Sequence, residues 1–469
     1  MCFFCEICLK VYSFLIKYLK YIRCLIRTDR LWEGVSSVHE LTKIIKKDMV
    51  PALGVTEPGA IAFITSKAKS YTKGEVRSVE LALSSSIYKG AFTCGIPGVE
   101  EVGNRFAAAL GVCGADHTKG LESLDAIDES AKVKARKMIE DGKIKVSVHE
   151  ITPDIYLNAK VQTEEDVCEV TVKHRHTNIT EIKLNGEILF AAEESNEVSA
   201  ETEDPERSVE LDNIKKYSFI EIVNYARDVD LEEIKFIKEA YNVNLELLEE
   251  GFKSSRTTLG HNLYKQNGST GISQDELATA QFVTNTALEA RVIGLSKPAM
   301  SITGSGAHGI LCTMPLYACW AVNGMPEEKL LRATALSYLI TIYIKVHSGI
   351  LSAFCGCAIA AGTGSAVALC FMKGGNILQM NYTLNNMASS ITGMICDGGN
   401  KGCTLKGVVA VDMAYRAVNF ALDNAYVESV HAINGRTPEE TMKNMGLIAS
   451  PGMLETEKVI LDIFENKNN

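Results

Sequence analysis

The sequence predicts an α+β fold, with a small α+β domain near the N-terminus and a mostly helical domain behind it. Between residues 74 and 192, apolar and polar residues alternate in short segments, which is typical of half-buried strands. From residue 208 onward, apolar residues recur at helical spacing instead. The 469 residues suffice for two or three domains with a large buried core.

The chain divides into four predicted parts. These are an N-terminal extension (1–35), an N-terminal helical part of the larger domain (36–73), the α+β domain with an acidic linker (74–206) and the helical domain (207–469). The extension is aromatic, basic and rich in cysteine, and its lysines interrupt the apolar run that a signal peptide needs. We interpret it as a dispensable, disordered or non-native segment. The alternative is a peripheral membrane helix that contacts anionic lipid.

The elements of the N-terminal half follow from their apolar spacing. A helix is predicted from about residue 38 to residue 50, where Pro51 ends it, and PALGVTEPG (51–59) is predicted as a turn between two helices. Asn185 and Gly186 together predict a hairpin. The α+β domain is predicted to contain strands at 76–83, 143–149, 155–161, 167–173, 179–183 and 188–192, and helices at 99–111 and 124–141.

The helical domain follows an acidic, polar linker at residues 193–206. One stretch within it, residues 348–372, carries no charge and is long enough to span a membrane. It consists largely of Ala, Gly, Ser and Cys, and GTGS at 362–365 would interrupt it, so we predict a tightly packed buried helix pair instead. Helices are predicted at 217–226, 231–241, 275–290, 327–345, 349–361, 408–424 and 438–446.

Charge and cysteine content narrow the class of function. The formal net charge is −10, which argues against nucleic acid as the main partner because phosphate binding needs an excess of basic charge. The chain has 14 cysteines and no clean secretion signal, so we expect reduced thiols and a cytoplasmic location. The natural partner is therefore predicted to be a small molecule, with no nucleic acid and no membrane.

The strongest chemical signal is a pair of cysteine segments in the C-terminal half. Cys355 and Cys357 lie in SAFCGCAIAAGTGS, and Cys396 and Cys403 enclose a glycine-rich loop in ICDGGNKGC. Iron–sulfur clusters need loop thiolates and close backbone N–H groups, which glycine permits. A zinc site is the weaker alternative, because neither a C-x-x-C pair nor a suitably spaced histidine is nearby. A third interpretation treats these cysteines as small buried hydrophobic residues, which we prefer for Cys312, Cys319 and Cys370.

A second signal is the segment SITGSGAHGI at residues 301–310. Gly304, Ser305 and Gly306, with His308, could form a loop whose N–H groups hold a carboxylate. Its spacing matches neither a Rossmann nor a P-loop motif, so nucleotide binding is not predicted. His176 and His261 are candidate general bases, although each is more often a structural hydrogen-bonding residue.

Five segments, taken with the spacing between them, resemble the L-cysteine desulfidase family, which shares its cluster domain with the iron–sulfur L-serine dehydratase alpha chain. The resemblance covers about residues 39–464. The segments are PALGVTEP (51–58), HTNI (176–179), PAMSITGSGAHGI (298–310), LSAFC (351–355) and MICDGGNKGC (394–403).

The resemblance implies a fold, a cofactor and ligands. It implies an α+β domain inserted in a helical domain that binds a [4Fe–4S] cluster. The family's three cluster cysteines fall on Cys355, Cys396 and Cys403, whereas Cys357 matches no family ligand. Three cysteine ligands leave one iron open, and an open iron can act as a Lewis acid on substrate.

One position departs from the family pattern. The family usually reads G-C-T-E-P where this chain has Gly54-Val55-Thr56-Glu57-Pro58. Valine can neither bind iron nor move a proton. Either the cysteine is dispensable, or the substrate has shifted to serine or another β-substituted amino acid.

The sequence thus predicts an iron–sulfur lyase that eliminates hydrogen sulfide from L-cysteine, or water from L-serine, to form pyruvate and ammonia. The segment 304–306 with His308 would bind substrate, Thr56 and Glu57 would line the same pocket, and Glu57 joins the histidines as a catalytic candidate. The rival hypothesis is a non-catalytic iron–sulfur redox or amino-acid sensor. A homodimer is compatible with either.

Overall fold

The computed structural model describes residues 38–125, 127–192, 210–349 and 352–467. The predicted extension at 1–35 and the predicted linker at 193–206 lie outside the described residues. The domain boundaries therefore stay a prediction. The α+β fold class is confirmed, because a sheet region precedes a helical region along the chain.

The first elements correct the predicted turn at residues 51–59. They are α1 (Glu40–Asp48), β1 (Val50–Leu53) and α2 (Thr56–Ser70). The strand β1 pairs antiparallel with Pro298–Ser301, so Pro51 lies within a strand rather than in a turn. Only Gly54 and Val55 separate β1 from α2, and Gly54 makes the bend with φ at +63°. Pro58 sits in the first turn of α2, where its missing N–H has no helical partner to lose.

Six strands form the sheet region, in the order β3-β2-β4-β5-β6-β7. Only β2 and β3 run parallel, and the other neighbours are antiparallel. All six strands match predicted segments because their apolar residues alternate along half-buried surfaces. The elements are β2 (Val76–Ser84), α3 (Ser85–Ala91), α4 (Asn104–Cys113), α5 (Glu129–Glu140), β3 (Ile144–Glu150), β4 (Tyr156–Thr163), β5 (Val167–Lys173), β6 (Ile179–Leu184) and β7 (Glu187–Ala191), with a 3₁₀ turn at His117–Glu122.

Local features explain the differences from prediction in this region. The helices α4 and α5 begin about five residues later than predicted, because Gly103 with φ at +95° precedes one and the Asp128 side chain caps the other. The short helix α3 was not predicted, since all seven of its residues are buried and no polar face marks it. The hairpin at Asn185 and Gly186 is confirmed by positive φ at both residues.

The helical region packs around α10, α12 and α13, which are buried on nearly every side. Its elements are α6 (Phe219–Asp228), α7 (Leu231–Ile234), α8 (Lys238–Lys253), α9 (Thr258–Gln266), α10 (Glu276–Val292), β8 (Pro298–Ser301), α11 (Gly306–Asn323), α12 (Glu327–Ser348), α13 (Gly362–Met372), α14 (Ile377–Ile391), α15 (Gly402–Leu422), α16 (Pro438–Ala449) and α17 (Leu454–Lys467), with 3₁₀ turns at Leu211–Lys216 and Lys235–Ile237.

Residues 353–370 of the uncharged stretch are buried as predicted, but they do not form a helix pair. A π-helical turn at Cys357–Ala361 continues directly into α13, and GTGS forms the first turn of that helix. A Cβ on Gly364 would lie 2.3 Å from Thr341 Oγ1 and 2.4 Å from Ser337 O. The glycine therefore lets α13 approach α12 closely and does not break the helix. Among the residues that the structure describes, no helix is both long and apolar enough to cross a membrane.

Candidate active site

One cleft brings together most of the predicted site residues. Its free volume is about 900 Å3 with the open mouth included. The sheet region and the helical region both contribute to its wall. The predicted residues that line it are Thr56, Glu57, His176, Gly304, Ser305, His308, Cys355, Cys396 and Cys403.

Backbone hydrogen bonds join the two cysteine segments. The N–H of Cys355 donates to Met394 O at 2.8 Å, and the N–H of Cys396 donates to Ala353 O at 2.6 Å. These bonds form a short antiparallel bridge, so the two thiols come from neighbouring strands of backbone. Cys403 lies in the first turn of α15, seven residues beyond Cys396.

The loop between Cys396 and Cys403 is fixed against α3. Gly398 has φ at +92°, and a Cβ there would lie 2.2 Å from Lys89 O. The N–H of Gly399 donates to Gly90 O at 3.3 Å. Glycine is therefore required at residue 398 both for its backbone conformation and for the close approach of α3. The conformation of this loop depends on a helix more than 300 residues away along the chain.

The thiols have different acidities because of their neighbours. The sulfurs of Cys355 and Cys357 lie 3.3 Å apart, and donation from the Cys357 thiol lowers the pKa of Cys355 to about 7. Burial raises the pKa of Cys396, against the opposing effect of Lys89. Burial also raises the pKa of Cys403 to about 12. Cys355 is thus the thiol most easily ionised, which suits a metal ligand.

The donor set fits an iron–sulfur cluster better than a single metal ion. Among the described residues, no three His, Cys, Asp or Glu side chains converge as the ligands of one ion would. A cubane binds each cysteine through a different iron, so its ligands need not converge. Cys355, Cys396 and Cys403 line one wall of the cleft, where Cys355 raises the pKa of Cys396 and both raise the pKa of Cys403. Glycines on both segments leave backbone near the sulfurs uncovered.

Three buried cations line the same cleft, and none was identified from the sequence: Lys89, Arg291 and Lys345. Burial lowers the pKa of Lys345 to about 8, although the nearby thiols oppose this shift. Burial lowers the pKa of Arg291 to about 10. Glu57 is the buried carboxyl that faces them, and burial raises its pKa. An excess of positive charge suits a cleft that holds thiolates and an anionic ligand.

The segment from Thr303 to Gly306 has a strained, well-anchored backbone. Thr303 and Gly304 both have positive φ, at 50° and 73°. The N–H of Thr303 donates to Asp48 Oδ2 at 2.5 Å, and Thr56 Oγ1 donates to Gly304 O at 3.4 Å. Gly306 lies behind the cleft wall, where a Cβ would meet the Arg291 guanidinium at 2.5 Å. Its absence of a side chain therefore makes room for Arg291 rather than for a ligand.

His308 links this segment to the cysteine wall. Its Nδ1 lies 2.5 Å from Thr303 Oγ1, and a Cβ on Gly356 would lie 2.6 Å from its Nε2. Burial lowers the pKa of His308 well below its usual value, which favours the neutral form of the ring.

The two histidines predicted as general bases lie in different places. His176, on the loop between β5 and β6, lines the cleft, and its Nε2 is buried with no hydrogen-bond partner among the described residues. Burial lowers its pKa to about 4. His261, on α9, is not part of the cleft wall. Its Nε2 lies 3.0 Å from Ser254 O and its ring packs against Phe252.

The sequence carries a signal for two of the buried cations that were not predicted, Lys345 and Lys89. Lys345 is the only charged residue in the apolar run ITIYIKV, and Lys89 stands alone in SSIYKGAF. Charged side chains are rarely buried unless they are paired or functional. An isolated lysine in an apolar run is therefore a usable indicator of a buried site.

Known proteins resemble the chain over most of its length. Residues 118–462 match the serine dehydratase alpha chain family. A UPF0597 protein of Clostridium botulinum (strain Okra / Type B1) is 38% identical over 423 residues, which cover 90% of this chain and 97% of that protein. A UPF0597 protein of Caldanaerobacter subterraneus subsp. tengcongensis is 36% identical over 429 residues, covering 91% and 98%.

These matches agree with the resemblance inferred from the five sequence segments, and they indicate a lyase of the serine dehydratase type. The chain belongs to the serine dehydratase alpha chain family, within the L-cysteine desulfidase-like group of UPF0597 proteins.

Proposed function

We propose that the protein is an iron–sulfur lyase that catalyses β-elimination from a small L-amino acid, either L-cysteine or L-serine. The observation that carries this proposal is the cleft in which Cys355, Cys396 and Cys403 face three buried cations. Family membership supports the lyase class. The reduced thiols that the cluster needs also favour a cytoplasmic location.

The three cysteines would hold a [4Fe–4S] cluster. When bound, the cluster supplies a Lewis acid at its open iron, which stabilises the departing thiol or hydroxyl group. A hydrogen bond from the Cys357 thiol to the Cys355 sulfur would favour the Cys355 thiolate. Lys406, paired with Asp397, adds positive charge near the same thiols.

The other residues would bind the amino acid and move a proton. The cations and the backbone of the Gly304–Ser305 turn face the carboxylate, while Thr56 narrows the cleft beside them. A base removes the proton from Cα as the bond from Cβ to sulfur or oxygen breaks. The resulting enamine hydrolyses to pyruvate and ammonia. Of the three predicted catalytic residues, Glu57 and His176 line the cleft and are the candidate bases, whereas His261 lies outside the cleft wall.

A non-catalytic iron–sulfur sensor is the second candidate, and Val55 is the observation that favours it. Val55 lines the cleft where the family usually has cysteine, and its methyl groups lie 3.1 and 3.3 Å from where a Cβ of Gly399 would be. Val55 thus places a side chain that can neither bind iron nor move a proton against the cysteine loop. The enzyme is favoured by an intact cleft that holds candidate bases and three buried cations.

Turnover separates the two candidates. Anaerobically reconstituted wild type is incubated with L-cysteine and with L-serine, and pyruvate, ammonia and hydrogen sulfide are measured. The lyase produces equal amounts of pyruvate and ammonia from at least one substrate, and a Cys396→Ala/Cys403→Ala variant produces none. A protein that binds iron and sulfide but turns over neither amino acid would instead be the sensor.

A further inference from the structure

A buried ion pair joins the cleft to the C-terminal helix. Lys89 on α3 donates to Glu457 Oε2 on α17 at 2.5 Å, and the two residues lie 368 positions apart in the sequence. Their side chains are only 3% and 4% exposed. Ion pairs this deeply buried are costly to desolvate and are weak devices for stability alone. The pair therefore calls for a functional explanation.

The ammonium group of Lys89 has a defined orientation. It donates to Glu457 and also to Ser352 O at 3.2 Å, on the segment that leads to Cys355. A lysine ammonium carries three donors, so one N–H remains beyond these two contacts. Lys89 lines the cleft, and a donor on that wall can reach a ligand.

Glu457 depends on Lys89 in turn. Its second oxygen, Oε1, is buried and has no hydrogen-bond partner among the described residues. The helix that carries it is held by Leu461 in the core of the sheet region and by Phe464, which stacks on Phe92 at 4.3 Å. The packing of α17 thus fixes the position of the Glu457 carboxylate, which pairs with Lys89.

The other two cations of the cleft, Lys345 and Arg291, have different interaction partners. The positive charge of Lys345 faces the thiols of Cys396 and Cys355, and its ammonium also lies 5.8 Å from the centre of the Phe354 ring. Arg291 donates to Ala52 O and interacts with Glu57. Lys89 is the cation whose position is set from outside the cleft, by a carboxylate that does not line it.

We infer that Lys89 binds the carboxylate of the amino-acid substrate and that Glu457 is the positioning residue that holds its ammonium in place. This inference rests on the proposed function, since it names the group that recognises the substrate. It also makes the C-terminal helix part of the active site. Glu457 touches no substrate and acts only through Lys89.

The test compares ligands with and without a carboxylate. Cysteamine and ethanolamine match L-cysteine and L-serine but lack that group. Binding of all four is measured by calorimetry, and KM and kcat are measured for the amino acids. The proteins are full-length wild type, Lys89→Met, Glu457→Gln and Glu455→Gln, a control with an exposed carboxylate on the same helix. Iron content and thermal midpoints confirm that each variant is folded.

We expect Lys89→Met and Glu457→Gln to weaken amino-acid binding and raise KM by at least about tenfold, the loss expected for one charge-assisted hydrogen bond. The affinity for cysteamine and ethanolamine should stay within about twofold, as should all values for Glu455→Gln. Lys89→Arg should recover part of the lost affinity, because it keeps a cation at that position.

Two results would overturn the inference. One is an equal loss of affinity for the amino acids and for the amines, which would indicate a general structural role for the ion pair. The other is unchanged binding in Glu457→Gln and Lys89→Met. If wild type binds amino acids through their carboxylate but turns none over, the proposed function fails while this inference stands.

Discussion

The two walls of the cleft are built in opposite ways. The thiol wall, formed by residues 352–357 and 396–403, is held together by two backbone hydrogen bonds and packs through Gly398 against α3. The sheet wall contributes Lys89 from α3 and His176 from a hairpin loop, and the Nε2 of His176 has no hydrogen-bond partner among the described residues. The thiol wall is thus fixed by backbone contacts, whereas the sheet wall offers two side chains that can reach a ligand. Substitutions in the thiol wall should therefore remove the cluster, whereas substitutions in the sheet wall should change activity while the cluster is retained.

The largest effect is expected within the thiol wall itself. Cys355→Ala should remove the cluster and reduce activity to background, because it deletes a ligand. Cys357→Ala is the matched variant two residues away. It should keep the cluster and lose only about tenfold in metal affinity or activity, as expected for a group that supports a ligand. Iron content and turnover of both proteins measure the difference, and equal losses would contradict the assignment of ligands.

The glycine contact with α3 offers the next test. Gly398→Ala places a Cβ 2.2 Å from Lys89 O on a backbone with φ at +92°. The backbone strain alone costs about 1–3 kcal/mol. The added Cβ also forces the loop to move away from α3. We expect most of the iron to be lost while the helical content, measured by circular dichroism, stays near that of wild type.

Gly393→Ala provides the control for the glycine test. A Cβ on Gly393 meets no atom within 4 Å, and its φ is not positive. Full iron content in Gly398→Ala would show that the loop does not depend on its contact with α3.

The candidate bases test which residues belong to the cleft. Glu57→Gln and His176→Gln each remove one candidate base, and the true base should lower kcat by about 100-fold or more while the cluster is retained. His261→Gln should change kcat by less than about twofold, because His261 lies outside the cleft. Steady-state kinetics with iron-loaded protein decide among them. A large loss in the His261 variant would mean that the cleft has been assigned wrongly.

The smallest expected effect is on stability as a function of pH. Folding lowers the pKa of His176 from about 6.5 to about 4, so the unfolded chain binds a proton more readily between these values. Stability is therefore lost as the pH falls through this window, by at most about 2 kcal/mol between pH 7 and pH 5. His176→Gln should lose less over the same interval. Urea denaturation of both proteins at the two pH values measures the difference, and parallel losses would rule out this contribution.

The fold was predictable where local patterns decide it. All six strands of the sheet follow from alternation, and α10 follows from its helical spacing. Prediction failed where tertiary contacts decide. GTGS suggests a helix break, yet Gly364 is there to let α12 approach. Pro51 suggests a turn, yet β1 exists because β8, almost 250 residues later, pairs with it.

The candidate site shows the same division. Spacing and resemblance pointed to Cys355, Cys396 and Cys403, and the structure places all three on one cleft. Lys89 and Glu457 could not be paired from sequence, because only the folded chain brings them together. His261 resembled a base in sequence, yet its ring nitrogen faces the backbone of Ser254.

The central claim is that Cys355, Cys396 and Cys403 hold a [4Fe–4S] cluster, and an anaerobic iron and sulfide assay with a visible spectrum tests it most directly. Wild type is compared with the Cys396→Ala/Cys403→Ala variant after identical reconstitution. We expect about four irons and four sulfides per chain with broad visible absorption, all lost in the variant. A wild-type protein that remains without iron after careful reconstitution would contradict the claim.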